Sequence, residues 1–383
     1  MFSLKILHTA DWHLGKTVQG TSMLEDQKYI LQQFLQVVDE QHPNAIIIAG
    51  DLYDRSVPPV IAVQLLDDVF EEIVKNREIP LLAIAGNHDS TSRVDFGSTL
   101  FKESGLYVKG KLTKEMKPVR LEDEHGPVDF YLIPFADPQE VRYVFEKEDV
   151  HTNQQAMETI IEAIQPTTNR SVCIAHAFVT KNGEQQENPD EGERPLSIGG
   201  SECIDASLFE KFNYTALGHL HQAHFVAHEK IRYSGSPLKY SVSEATHQKG
   251  VLMLELDAEG HVTIEKIPLQ PIRDLRRIEG SMEDLLKLPA SEDYVYVTLL
   301  DEAPILSPME KIRTVFPNAM HIERSIIKGE LEVAPVENKR AMDTETLFHS
   351  FYTEITGSKP NEAMTQLFQE LVEEELRKER EAE

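Results

Sequence analysis

The 383-residue sequence holds only two cysteines, Cys173 and Cys203. Two thiols cannot build a disulfide framework, so the chain must rest on an apolar core, and a reducing compartment is expected. Each cysteine reads as a small buried residue rather than a reactive one. Nowhere do 18 apolar residues run together, so no membrane span is expected. The first residues run directly into Asp11 and His13 without a signal-peptide pattern, which makes a cytoplasmic location the expectation. Positive charge is also scarce: 38 Lys and Arg stand against 65 Asp and Glu, a net charge of −27. That balance argues against tight, unaided binding of a polyanion. The segment 341–383 holds eleven of the acidic residues against four basic ones. Bound divalent cations would add positive charge wherever a phosphate had to sit.

What is present is ordinary for a soluble globular chain, at 40% hydrophobic and 27% charged residues. The length allows a sizeable core and two or three structural units. Apolar runs at 4–9, 45–49 and 80–84 read as buried strands, with helical spacing at 24–40 and 59–75 between them. Strand, helix, strand, helix, strand implies parallel βαβ units whose strand ends share one rim. Shorter strands are expected at 106–108 and 128–133, helices at 138–145 and 152–164, and a buried strand at 171–175 ending on His176. A loop of about twenty residues follows Lys181, a length usually functional or mobile. Strands at 214–217, 225–234 and a hairpin at 250–269 precede a change of composition near Pro271. Beyond it, strands at 275–278, 294–300 and 322–326 with one helix at 309–315 suggest a small α+β unit. The last forty residues read as amphipathic helix, broken at Gly357-Ser358-Lys359-Pro360. No internal repeat appears.

The polar groups that close the strands carry the chemistry. They are Asp11-Trp12-His13, Gly50-Asp51, Gly86-Asn87-His88-Asp89, His176 and Gly218-His219-Leu220-His221. Taken singly each is unremarkable: Asp-x-His is a common turn, a lone histidine after a strand is often a satisfied core group, and His-x-His can be exposed alternation. Side chains two apart in extended chain point the same way, so Asp11 with His13, and His219 with His221, can converge. Carboxylate, imidazole and amide oxygen together suit a divalent ion such as Mn²⁺, with Mg²⁺ as the alternative. Seven candidates are too many for one ion and about right for two that share a carboxylate. Trp12, between two candidates, reads mainly as a packing residue.

These segments, with Gly50-Asp51-x-x-Asp54, resemble the calcineurin-like metallophosphoesterases. Three longer stretches, 9–16 (Thr-Ala-Asp-Trp-His-Leu-Gly-Lys), 193–200 (Glu-Arg-Pro-Leu-Ser-Ile-Gly-Gly) and 233–241 (Tyr-Ser-Gly-Ser-Pro-Leu-Lys-Tyr-Ser), are similar to the SbcD family of bacterial nuclease subunits. The likeness spans most of the first 270 residues and runs on through Asp274-Leu275. It implies an α/β fold, a four-layer α/β/β/α sandwich over 1–270, with a small α+β capping domain at 271–340 that contacts DNA. A C-terminal helical segment at 341–383 would bind the SbcC ATPase. It implies that Asp11, His13, Asp51 and His221 hold one Mn²⁺, and that Asp51, Asn87, His176 and His219 hold the other. His88 would stabilise the transition state and protonate the leaving oxygen, oriented by the carboxylate of Asp54. The implied activity is Mn²⁺-dependent cleavage of DNA, 3′ to 5′ from double-stranded ends and endonucleolytic on single strands or hairpins. A homodimer within a heterotetramer, joined through helices near 59–75, is implied as well.

Two other classes fit the same residues: a phosphatase or phosphodiesterase acting on small substrates, and a non-catalytic interaction protein. The first does not need the 110 residues after Pro271; the second does not explain why no candidate ligand is replaced by an apolar residue. Gly105-Leu106-Tyr107-Val108-Lys109-Gly110-Lys111-Leu112 approaches a nucleotide-binding loop but ends in Leu, so no ATP site is expected on this chain. In the tail, Leu347, Phe348, Phe351 and Tyr352, then Met364, Leu367, Phe368, Leu371 and Val372, recur at helical spacing. Such faces suit a partner helix or the chain's own packing.

Overall fold

The computed structural model describes residues 3–166, 170–184, 203–301, 303–324, 344–356 and 359–382. Most of the acidic loop after Lys181, the 193–200 motif and the Gly357-Ser358 break lie outside these residues. The chain divides into two compact units, Met1–Arg277 with Ala290–Tyr296 and Phe316–His321, and Ile278–Pro289 with Val297–Val315 and Ile322–Glu383.

The first unit is built on two six-stranded sheets. In one, Leu4–Thr9, Ala45–Ile48, Leu81–Ile84 and Leu106–Lys109 run parallel as neighbours in that order. The hairpin of Gly250–Leu256 and Val262–Pro268 extends it antiparallel beyond Leu4–Thr9. In the other, His228–Tyr233, Tyr214–Gly218, Ser171–His176 and Gly126–Ile133 are parallel neighbours. His224–Val226 and Val119–Asp123 form its antiparallel edges.

The strand sequences show why four layers result. Ala45-Ile46-Ile47-Ile48 is apolar on both sides because both sides are covered. Ala45 and Ile47 join Ile6, Leu82, Phe130, Ile174 and Ala216 between the sheets. Ile46 and Ile48 point the other way, onto Ile30, Phe34, Leu66 and Val69 of the helices Leu24–Gln41 and Val60–Glu71. The second sheet repeats the scheme: Tyr131, Ile133, Cys173 and Ala175 turn outward onto Val141, Met157 and Ile160 of the helices Pro138–Phe145 and Asn153–Glu162. Both cysteines are buried and free, as small core residues.

Several details differ from the sequence expectation. The single strand expected over 225–234 is a hairpin, because Ala227 turns the chain at φ 58. The helix expected to reach residue 75 leaves α geometry at Glu72 and finishes as one π turn, Glu72–Asn76. The edge strand Val119–Asp123 and the short helix Met282–Leu285 were not anticipated. The strands Leu275–Gly280, Tyr294–Leu299 and Ala319–Arg324 form a three-stranded sheet. In the tail, Thr344–Thr356 and Glu362–Ala382 are helices that pack on each other, with the Phe348 and Phe368 rings stacked at 4.1 Å. Leu347, Phe351, Leu367 and Leu371 stay exposed. No helix among the described residues is long and apolar enough to cross a membrane.

Candidate metal centre

Five strands deliver polar residues to one rim. Leu4–Thr9 leads to Asp11 and His13, Ala45–Ile48 to Asp51, Leu81–Ile84 to Asn87 and His88, Ser171–His176 ends on His176, and Tyr214–Gly218 precedes His219 and His221. The loops are laced together by main chain: Asp11 N–H donates to Gly50 O, and His13 N–H to Asp51 O, both at 3.0 Å. Asp11, His13, Asp51 and His219 all sit at positive φ, between 46° and 109°. Non-glycine residues held there cost about 1–3 kcal/mol each and gather at functional sites.

Glycines make the close approach possible. A Cβ on Gly50 would lie 2.3 Å from His176 Nδ1, one on Gly86 would lie 2.1 Å from Asp51 Oδ1, and one on Gly218 would lie 2.0 Å from Ala49 O. So each Gly-ligand pair read in the sequence is a place where two ligand loops touch.

Around Asp51 the donor atoms crowd. Its Oδ2 lies 3.3 Å from His176 Nε2 and 3.7 Å from His13 Nε2, placing it between the two groups of candidates. His13 Nε2 and His221 Nε2 face each other at 3.1 Å. His176 Nδ1 donates to Ala49 O at 2.9 Å, which turns its Nε2 toward two oxygens, Asn87 Oδ1 at 2.9 Å and Asp51 Oδ2. Asp11 Oδ1 accepts from His219 N–H at 2.9 Å, while its buried Oδ2 has no hydrogen-bond partner among the described residues. All seven histidines and aspartates of the cluster, His88 included, are buried, and Asn87 is half-buried.

Inward lone pairs and buried carboxylates at such spacing fit divalent cations. Two overlapping sets, Asp11-Asp51-His176 and His13-Asp51-His88, have ligand atoms within 4.8 Å of one another. Electrostatics reflect the crowding. Burial pushes the Asp11 carboxyl up to about 7, against the pull of His176 and His221. Burial acts on Asp51 in the same sense, but the imidazoles of His176, His13 and His88 hold it below the usual carboxylate range. His176, which burial would lower, is carried up to about 9 by Asp51 and Asp11.

The structure brings His88 to this cluster, its ring 4.7 Å from that of His13. Asp54 meets it differently from expectation. His88 Nδ1 lies 2.8 Å from the backbone carbonyl of Asp54, while the Asp54 carboxylate turns to Lys16 Nζ at 3.0 Å. The contact seen between Asp54 and His88 thus runs through the main chain, and a buried ammonium holds the Asp54 carboxylate. Trp12 packs edge-on against Phe34 and donates to Thr9 Oγ1.

Four supporting residues had no role in the sequence reading, although Asp89 stood among its polar strand-end groups. Asp89, within the Gly-Asn-His-Asp turn, accepts from the N–H groups of Gly86, Leu52 and Tyr53 at 2.9–3.0 Å and ties two ligand loops together. Burial, then the charge on Asp51, raises its carboxyl to about 7 against those three donors. Gln27, a polar residue on the buried face of its helix, donates to His13 O at 2.8 Å. Glu244 accepts from His221 Nδ1 at 3.0 Å, and Lys249 sits against Glu244. Burial would raise Glu244, yet His221 and Lys249 keep it below the usual range. Its only sequence signal was proximity to the 233–241 motif.

The calcineurin-like phosphoesterase family matches residues 4–223, and the type 5 capsule protein repressor C-terminal domain matches residues 271–356. The SbcD subunit of the nuclease SbcCD from Staphylococcus saprophyticus is 36% identical over 363 residues, covering 92% of this chain and 94% of that protein. The protein of the same name from Staphylococcus epidermidis is 36% identical over 358 residues, with the same coverage.

Proposed function

The chain belongs to the calcineurin-like phosphoesterases and, within them, to the SbcD family of nuclease subunits; from that premise we propose that it is a two-metal DNA nuclease working with an SbcC ATPase. One observation carries the proposal: carboxylates, imidazoles and an amide from five strand ends crowd a single rim around Asp51. Members of the family bind divalent metals. We assign two Mn²⁺ to this chain, one to Asp11, His13, Asp51 and His221, the other to Asp51, Asn87, His176 and His219. When bound, such a pair lowers the pKa of water and offsets charge on the oxygens of a phosphoryl group undergoing in-line displacement.

The chain's own groups do the rest. With Nδ1 hydrogen-bonded to the Asp54 carbonyl, His88 is left with Nε2 as the nitrogen that exchanges protons. It protonates the leaving oxygen and balances charge in the transition state. Gln27 and Asp89 hold the backbone of the ligand loops, so the side chains reach the reaction already oriented.

Residues 271–340 are assigned to DNA contact and 341–383 to the SbcC chain, which would also supply cationic surface to offset this chain's net charge of −27. Dimerisation through the helix Val60–Glu71, where Val60, Ile61 and Val63 are exposed, completes a heterotetramer in the cytoplasm. The purified chain with Mn²⁺, with and without SbcC and ATP, tests the reading on hairpin DNA beside p-nitrophenyl phosphate. Metal-dependent cleavage of the DNA is expected. Hydrolysis of the monoester alone, with DNA untouched, would favour a small-substrate phosphatase.

A further inference from the structure

The histidines on the two sides of Asp51 are oriented by different kinds of group. Behind His176 the hydrogen-bond acceptor is a neutral dipole, the Ala49 carbonyl, 2.9 Å from Nδ1, with the Asp11 carboxylate beyond hydrogen-bond reach at 3.9 Å. Behind His221 stands a carboxylate, Glu244, 3.0 Å from Nδ1 and only 1% exposed. Glu244 accepts in addition from Tyr240 N–H at 3.1 Å and from Lys249 Nζ. Lys249 Nζ donates further to the carbonyl of His221 itself and to Ser236 Oγ, both at 2.8 Å. One buried ammonium thus grips the ligand's main chain and the carboxylate behind its ring.

A buried ion pair contributes little to stability over apolar residues of the same shape. Its value here lies in what it does to the histidine. A carboxylate on one imidazole nitrogen fixes the tautomer and raises the basicity of the other, and such outer partners change metal affinity by about 10–100-fold. The other nitrogen, His221 Nε2, is the one that faces His13. We propose that Glu244 and Lys249 are positioning residues that govern the cation position at Asp11, His13 and His221 alone, leaving the position at Asn87, His176 and His219 independent of them. The inference rests on the two-cation reading.

The test is calorimetric titration of the full-length chain with Mn²⁺, together with electron paramagnetic resonance of the coupled manganese pair. The unmodified chain is expected to bind two ions. In Glu244→Gln, one of them should bind about 10–100-fold more weakly, with the other unchanged and the coupled signal lost at subsaturating metal. The double variant Glu244→Gln with Lys249→Met removes both buried charges, so it reads the same effect if the single variant does not fold. Two ions held at unmodified affinity in these variants, or both ions weakened equally as general loosening would do, overturns the inference. An unmodified chain that binds fewer than two ions defeats the two-cation reading instead, so the two failures are distinguishable.

Discussion

At the scale of single residues, His88 and Asp54 make opposite demands. His88→Ala should lower the rate of DNA cleavage by about 10²–10⁴-fold, with Mn²⁺ affinity retained in a titration. Asp54→Asn should cost far less activity, since the Asp54 carbonyl holds His88 Nδ1 while its carboxylate pairs with Lys16. Its penalty should appear in thermal unfolding, as about 1–3 kcal/mol, because Lys16 is left buried without its carboxylate partner. Equal loss of activity in both variants would put the carboxylate back beside the imidazole. Spacing to Asp51 suggested the neighbourhood of Asp54 correctly but not which of its oxygens would be used. That choice depends on Lys16, whose side chain arrives from another loop. Glu244 was illegible for a similar reason: a carboxylate in a polar stretch becomes a partner of His221 only once the chain has folded back.

Among the elements, the strand ends decide the site. Apolar runs such as Ala45–Ile48 and Leu81–Ile84 could be read directly, because burial on both faces leaves no polar interruption. Weakly patterned edges such as Val119–Asp123, half-exposed along their length, gave no comparable signal. The Gly-Asp, Gly-Asn and Gly-His pairs were visible as turns, while the contacts that require glycine were not. Gly86→Ala would place a methyl 2.1 Å from Asp51 Oδ1, in the midst of the candidate ligands. It should weaken Mn²⁺ binding strongly while the far-ultraviolet circular dichroism of the chain is retained. Metal binding as tight as in the unmodified chain would mean that the Asp51 carboxylate does not need its present position.

On the scale of the whole molecule, buried carboxylates and imidazoles are gathered within a chain that already carries a net charge of −27. A ligand bound only by the native state stabilises it by about 2.7 kcal/mol at a hundredfold excess over its dissociation constant. Mn²⁺ should therefore raise the unfolding temperature, and chelation should reverse the rise in a calorimetric scan. Residues 341–383 are predicted to be dispensable for that effect and needed for co-purification with SbcC. The most direct test of the central claim is diffraction from Mn²⁺-soaked crystals at the manganese absorption edge. Two anomalous peaks about 3.5–4 Å apart, flanking the Asp51 carboxylate, are the expected result. A single peak, or none at saturating manganese, would contradict it.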